Sequence, residues 1–253
     1  MQNPFIQKAG GVLSADIAVS EHEKELDFYS KILTTGSDPL WREDLLNNLG
    51  LPIIGLGKRT PEYAKIPTTW MPHILVADVL QSVAVAIENG AEVIMQSEAG
   101  EPEAQWAALV DPLGAAFGII PIPHDETYEK HREDRLGRIV GLSLHTSNVV
   151  ASKDFYSKVI GWSAGPRGDG AQIEQGYAMH IDEGNSAADI YQAKEDENEL
   201  SNVWLIHLPV DDIDESLRRV KELGGEIVSE CTKTRRSIVR DPEGVLFSLE
   251  ASE

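Results

Sequence analysis

From Gly11 the chain alternates, with Leu13, Ala15, Ile17 and Val19 on one face and Ser14, Asp16 and Ala18 on the other. That period of two predicts a strand with one covered face. Ser20 with Glu23 reads as a capping box, and Leu26, Tyr29 and Leu33 at helical spacing predict a helix of about 13 residues after it. Residues 36–68 are broken repeatedly by Gly and Pro, which suits short strands and loops. Alternation resumes at Trp70, with Pro72, Ile74 and Val76 against Met71, His73 and Leu75. Asp78 then caps a helix carrying Val83 and Ile87 and ending at Asn89-Gly90. Strands are expected at 92–96, 105–110 and 115–120, so this half reads as two β-α-β-β-β units.

The plan then recurs. Leu142 and Leu144 alternate with Ser143 and His145, and Asn148 caps a helix bearing Phe155, Tyr156 and Val159. Strands are expected near 162–164, 177–181 and 188–192. Trp204, Ile206, Leu208 and Val210 alternate with Leu205, His207 and Pro209. Asp212 and Glu215 open the next helix, and a final hairpin spans 236–250. Three sequence pairs mark a duplication: Asp27-Phe28-Tyr29-Ser30-Lys31 with Asp154-Phe155-Tyr156-Ser157-Lys158, Glu88-Asn89-Gly90 with Glu222-Leu223-Gly224, and Asp111-Pro112-Leu113-Gly114 with Asp241-Pro242-Glu243-Gly244. Two domains follow, 8–121 and 138–253, joined by a charge-dense linker over 122–137 whose His124, Asp125, His131 and Glu133 fit no rigid metal site.

Composition narrows the partners. The net charge is −20, which repels nucleic acid and anionic membranes. A single cysteine, Cys231, rules out an intrachain disulfide, and no apolar run is long enough for a signal or a membrane span. The expectation is a cytoplasmic protein with no nucleic-acid or membrane partner.

The Phe-Tyr in each odd-module helix, the junctions Val76-Ala77-Asp78-Val79 and Val210-Asp211-Asp212-Ile213, and Asp-Pro-x-Gly before each last strand resemble the vicinal oxygen chelate (glyoxalase/bleomycin resistance/dioxygenase) superfamily. The resemblance covers nearly the whole chain outside the linker. It implies an α+β fold in which four βαβββ modules form two cupped, incompletely closed β-barrel domains with external helices and the ligand in the cup. Metal-dependent members take His, Gln or Glu ligands from the first strand of each module and a Glu from the last strand of the even module. Here the first-strand positions so counted hold Ser14, Met71, Gly141 and Leu205, and the last-strand positions hold Gly118 and Ser248. No metal or other cofactor is therefore expected.

Polar residues on the cup-facing phase are the candidate ligand-binding set: Asp16 and His73 in the first domain, and Ser143, His145 and His207 in the second. Asp16 with His73, or His145 with His207, would form an acid-base pair at a cup floor. Trp106 and Arg236 occupy equivalent places before Asp111 and Asp241, suiting a flat apolar ligand and an anionic one respectively. Trp41, Trp70, Tyr177 and Trp204 read as packing. The expected function is metal-independent binding of a small organic molecule in one or both cups. The alternatives are a metal-dependent lyase or dioxygenase with ligands drawn from Asp16, His73, His145 and His207, and an interaction scaffold. The chain is expected to act as a monomer with its domains paired, or as a homodimer.

Overall fold

The computed structural model describes residues 3–33, 40–42, 45–46, 49–98, 100, 105–124, 126–134, 136–167, 176–194, 200–231 and 235–252. The side chains of Trp41 and Cys231 and all of Asp125 lie outside the described residues.

The first half runs Val12–Val19 (β1), His22–Ile32 (α1), Leu40–Arg42 (β2), Leu45–Leu46 (β3), Ile54–Lys58 (β4), Met71–Val76 (β5), Val79–Glu88 (α2), Glu92–Gln96 (β6), Ala107–Val110 (β7) and Ala116–Pro121 (β8). A short helix, Thr127–Lys130 (α3), leads to the second half. That half runs Gly141–Thr146 (β9), Val149–Val159 (α4), Ser163–Gly165 (β10), Gly176–Asp182 (β11), Asn185–Gln192 (β12), Val203–Val210 (β13), Ile213–Glu222 (α5), Glu226–Cys231 (β14), Arg236–Arg240 (β15) and Leu246–Ala251 (β16).

Each half makes one open eight-stranded sheet, in the orders β2-β3-β4-β1-β5-β8-β7-β6 and β10-β11-β12-β9-β13-β16-β15-β14. The first strands of the two modules pair antiparallel at the centre, β1 with β5 and β9 with β13. Each module's last strand runs parallel beside its first, as a crossover through a helix requires.

Helices cover one face of each sheet, and the two helical faces meet. The α1 helix packs on α5, and α2 on α4. Phe28 and Tyr29 of α1 lie 6.5 and 5.2 Å from Phe247 on β16, while Phe155 and Tyr156 of α4 lie 5.9 and 5.4 Å from Phe117 on β8. One hydrophobic core therefore runs through both halves. The opposite sheet faces, the cups, point away from it.

The repeated motifs read in the sequence meet at this seam. Tyr29 donates its hydroxyl to Asp241 Oδ2 at 2.9 Å and accepts from Trp70 Nε1 at 3.0 Å. Tyr156 likewise donates to Asp111 Oδ2 at 3.1 Å and accepts from Trp204 Nε1 at 2.9 Å. The other oxygen of each aspartate closes its own turn, Asp111 accepting from Leu113 and Ala115 amides and Asp241 from those of Glu243 and Val245. Burial pushes both tyrosine hydroxyls well above their ordinary range and both aspartates upward, against the hydrogen bonds that hold the carboxylates charged. Phe-Tyr and Asp-Pro-x-Gly are thus seam residues, and Trp70 and Trp204 pack as expected while also donating into the network.

Several expectations change. Ser20 and Glu23 make no capping box: among the described residues no side chain caps α1, and the amides of Ser20 and Glu21, just ahead of the helix, donate instead to the carboxylate of Glu243 from the other half. The buried stripe of α1 is Glu25, Phe28, Tyr29 and Ile32, one residue round from Leu26. The segment 122–137 is not a bare solvated connector, because Tyr128 packs on Phe5 at 6.0 Å, Pro123 accepts from Gln7 at 2.8 Å, and His131 pairs with Asp134 at 2.8 Å. The N-terminal segment itself reaches the second sheet: the Asn3 amide donates to Ser186, Lys8 pairs with Asp182, and Trp162 donates to the Gly10 carbonyl at 2.9 Å. Gly10 has a φ of +86°, and a Cβ there would come within 2.9 Å of the Trp162 indole nitrogen.

Candidate functional site

The cup faces are built from the strand phase opposite the helices. In the first cup β1, β5 and β8 lie side by side, and one row in register crosses them as Ser14, His73 and Gly118. In the second the same row reads Gly141, His207 and Ser248. Counting from the sequence placed Met71 and Leu205 on these rows; pairing places His73 and His207 there instead, two residues further along the same face. The count came from the strand-helix junctions, whereas the antiparallel register decides which residues oppose each other.

Each row holds one imidazole. His73 Nδ1 shares a hydrogen bond with Ser14 Oγ at 3.0 Å, and its Nε2 lies 3.6 Å from Asp16 Oδ2, within ion-pair reach but beyond a direct hydrogen bond. Asp16 is half exposed and the His73 ring 17% exposed, so both can be reached from the cup. The ring lies over Gly118, where an added Cβ would stand 2.6 Å from Cδ2. A carboxylate on the last strand is incompatible with this placement of His73.

His207 uses the same edges with different neighbours. Its Nε2 shares a 3.0 Å hydrogen bond with Ser143, the residue standing where Asp16 stands in the first half. Gly141 replaces Ser14, so among the described residues Nδ1 has no hydrogen-bond partner, and it lies 3.8 Å from Glu250 Oε2. The ring is fully buried, and burial, then the charge of Arg236, then His145, hold its pKa well below the ordinary imidazole value. His207 is neutral at pH 7. Ser248 turns its hydroxyl to the Ser237 carbonyl at 3.2 Å.

The remaining candidates separate. His145 stacks on Tyr191 with ring centroids 5.1 Å apart, and the Arg167 guanidinium lies 4.0 Å from the Tyr191 ring centroid. Arg236 donates twice to Glu250 Oε2, at 3.0 and 2.8 Å, so its charge is already matched. Trp106, its counterpart, is 39% exposed just before β7. Glu250 was missed in the sequence, although it follows Ser248 by two residues and so shares its face. The four residues considered as an unorthodox metal set divide between the two sheets, Asp16 and His73 on one and His145 and His207 on the other. Among the described residues no group of three His, Cys, Asp or Glu is arranged to hold a metal ion. One imidazole with a serine and a glycine does not fit the family's three-donor metal site.

Apolar side chains complete each cup. Ile66, Met71, Ala108 and Ala116 cluster in the first, with Tyr63, Ile94, Met95 and Val110 around them. Leu200, Leu205 and Leu246 take the equivalent place in the second, with Val203, Val228 and Ile238. The bulkier second set accompanies the complete burial of His207.

Four paired modules, open sheets and external helices fix the architecture, and the comparisons agree with it. The findings support the vicinal oxygen chelate superfamily. The model of the glyoxalase-like domain matches residues 141–250. A candidate glyoxylase of Mycobacterium tuberculosis, CFP32, is 22% identical over 194 residues, covering 73% of this chain and 70% of that protein. The anthracycline biosynthesis protein DnrV of Streptomyces peucetius is 27% identical over 188 residues, covering 73% of this chain and 66% of DnrV. Among solved structures, homoprotocatechuate 2,3-dioxygenase of Brevibacterium fuscum superposes with a TM-score of 0.61 at 12% identity, over 96% of this chain and 80% of that one. The 2,2',3-trihydroxybiphenyl 1,2-dioxygenase of Sphingomonas wittichii gives 0.59 at 13%, over 97% and 91%. At such identities the likeness is one of fold.

Proposed function

We propose that this vicinal oxygen chelate protein binds a small organic molecule in its first cup, and does so without the divalent metal of the family's metal-dependent members. The observation that carries this is the row Ser14–His73–Gly118, with one accessible imidazole and its third place closed beneath the His73 ring. The apolar wall of Met71, Ala108 and Ala116 suits a flat or hydrocarbon body, and His73 with Asp16 suits a hydroxyl or carbonyl on it. His73 would hold or move a proton at Nε2, with Ser14 fixing the ring from the other side. The second cup is the weaker binder, since Leu205 and Leu246 are packed beside a buried His207 whose neighbouring charges Arg236 and Glu250 neutralise each other. Relatives named for anthracycline biosynthesis and for glyoxylase activity, and dioxygenase neighbours, support a small organic ligand. The two halves already cover each other's helices, so one chain suffices.

The test is elemental analysis of the purified protein after dialysis against zinc, nickel, manganese and iron(II), followed by a thermal-shift screen of small aromatic and anionic compounds. Metal-free protein with hits lost in His73→Ala and kept in His207→Ala is expected. Near-stoichiometric bound metal, or binding abolished by a chelator, overturns the reading.

A further inference from the structure

The repeat that sets Tyr29 opposite Tyr156 also sets Glu25 opposite Ser152, and here the two halves differ in charge. Ser152 is buried and shares a 2.8 Å hydrogen bond with Thr146. Beside it, where Asn89, Asp111 and Lys158 meet at the α2–α4 seam, lies a cleft of about 190 Å³. Glu25 is fully buried on the seam face of α1, and among the described residues neither carboxyl oxygen has a hydrogen-bond partner. An ionised carboxylate in that position would lose its hydration with nothing to replace it, which drives such a group to keep its proton.

Its surroundings sharpen the demand. From the β15–β16 turn of the other half, Asp241 and Glu243 face it with two more carboxylates. Asp241 is already engaged by Tyr29 and two turn amides, and Glu243 by the Ser20 and Glu21 amides just ahead of α1. Lys24, on α1 itself, acts in the opposite sense and more weakly than either acid. The α5 helix offers Arg219, held at the far end of α1 by Glu215 and the Lys31 carbonyl, and β4 offers Lys58, which is exposed. With its proton Glu25 can donate to Asp241 across the seam; without it, three carboxylates crowd the contact that ties α1 to the other half.

We propose that Glu25 is a proton-operated latch on the seam between the two halves, closed when its carboxyl is protonated and loosened when it ionises. Burial first, then Asp241 and Glu243, raise its pKa from 4.5 to about 8, which places the transition at mildly alkaline pH. The folded form therefore holds a proton that the unfolded chain releases above about pH 4.5, so stability is greatest below that value and is lost as pH rises through about 8. The Ser152 seam has no such group and serves as an internal reference.

Urea unfolding of the full chain across about pH 5 to about pH 9.5, with amide exchange read at residues 20–25 and at 147–152, tests this. Relative to Glu25→Gln, the wild-type folding equilibrium is expected to weaken by about tenfold per pH unit up to about pH 8 and to flatten beyond. Exchange at 20–25, after correction by the reference seam, is expected to quicken over the same range. Should Glu25→Gln not fold, Glu25→Ser, which copies Ser152, replaces it. Glu243→Gln, which removes one of the neighbouring negative charges, is expected to let Glu25 ionise more readily and so to move the transition to lower pH. Parallel wild-type and Glu25→Gln profiles, or a transition unmoved in Glu243→Gln, overturn the latch. Restoration of wild-type stability at alkaline pH by added calcium or magnesium, but not of Glu25→Gln, also overturns it, because the seam would then hold a cation in place of a proton.

Discussion

His73 and His207 stand at one place in the repeat and differ in everything around them. His73 has Ser14 on one edge and Asp16 beyond the other, and can be reached from its cup; His207 has Gly141 and Ser143 there, and is sealed. The tyrosine seams behind them are nearly superimposable in their bonds. Duplication has therefore kept what joins the halves and let the cups diverge. A seam network loses a buried bond whenever one member changes, whereas a cup can exchange a hydroxyl for a glycine at the cost of one unpaired nitrogen.

The largest effect that would test the equivalence of the seams is truncation of their aromatic centres. Phe117→Ala and Phe247→Ala should each cost about 3–5 kcal/mol by urea unfolding. Costs differing by more than half would show that one half carries the fold. Next, Tyr29→Phe and Tyr156→Phe should each cost about 1–3 kcal/mol, since each leaves a buried aspartate oxygen and an indole N–H without a partner. A neutral result at either site would break the seam's symmetry.

The cups answer to smaller changes. Gly118→Ala should cost about 1–3 kcal/mol and move the His73 ring, seen in its imidazole NMR signals, because the new Cβ meets Cδ2. His207 refuses a proton when folded, so its contribution is present above about pH 6.5 and lost as pH falls below it. His207→Gln should flatten that acid slope, and an unchanged slope would place the loss elsewhere. Smallest, Gly141→Ser would give Nδ1 the hydroxyl that Ser14 gives His73, with a gain of about 0.5–1.5 kcal/mol and a shifted Nδ1 resonance.

Much of this was legible in the residues. Alternation at 12–19, 71–76, 141–146 and 203–210 marked the central strands, Asp78, Asn148 and Asp212 cap their helices, and the repeated motifs marked the modules. The face carrying Asp16, His73, Ser143 and His207 also followed from phase alone. Three features did not. Register across β1–β5 and β9–β13 depends on which residues oppose each other, and phase is blind to a slip of two. Arg236 read as an anion receptor, but its Nε and one terminal nitrogen both donate to Glu250. Glu25 was not singled out by the spacing of Leu26, Tyr29 and Leu33, and only the packing of α1 put it on the buried face.

By itself the sequence determined the duplication, the order of strands and helices and the face each strand turns to its cup, because these depend on local spacing and on residues compared within one chain. Only the tertiary structure decided that Phe-Tyr and Asp-Pro-x-Gly would bond across the halves, that each cup row would hold a single histidine, and that a glutamate would be shut into the seam. Those outcomes depend on partners far apart in sequence, 212 residues for Tyr29 and Asp241 and 45 for Tyr156 and Asp111, and it is the distance in space, the burial and the unmet hydrogen bond that set their chemistry.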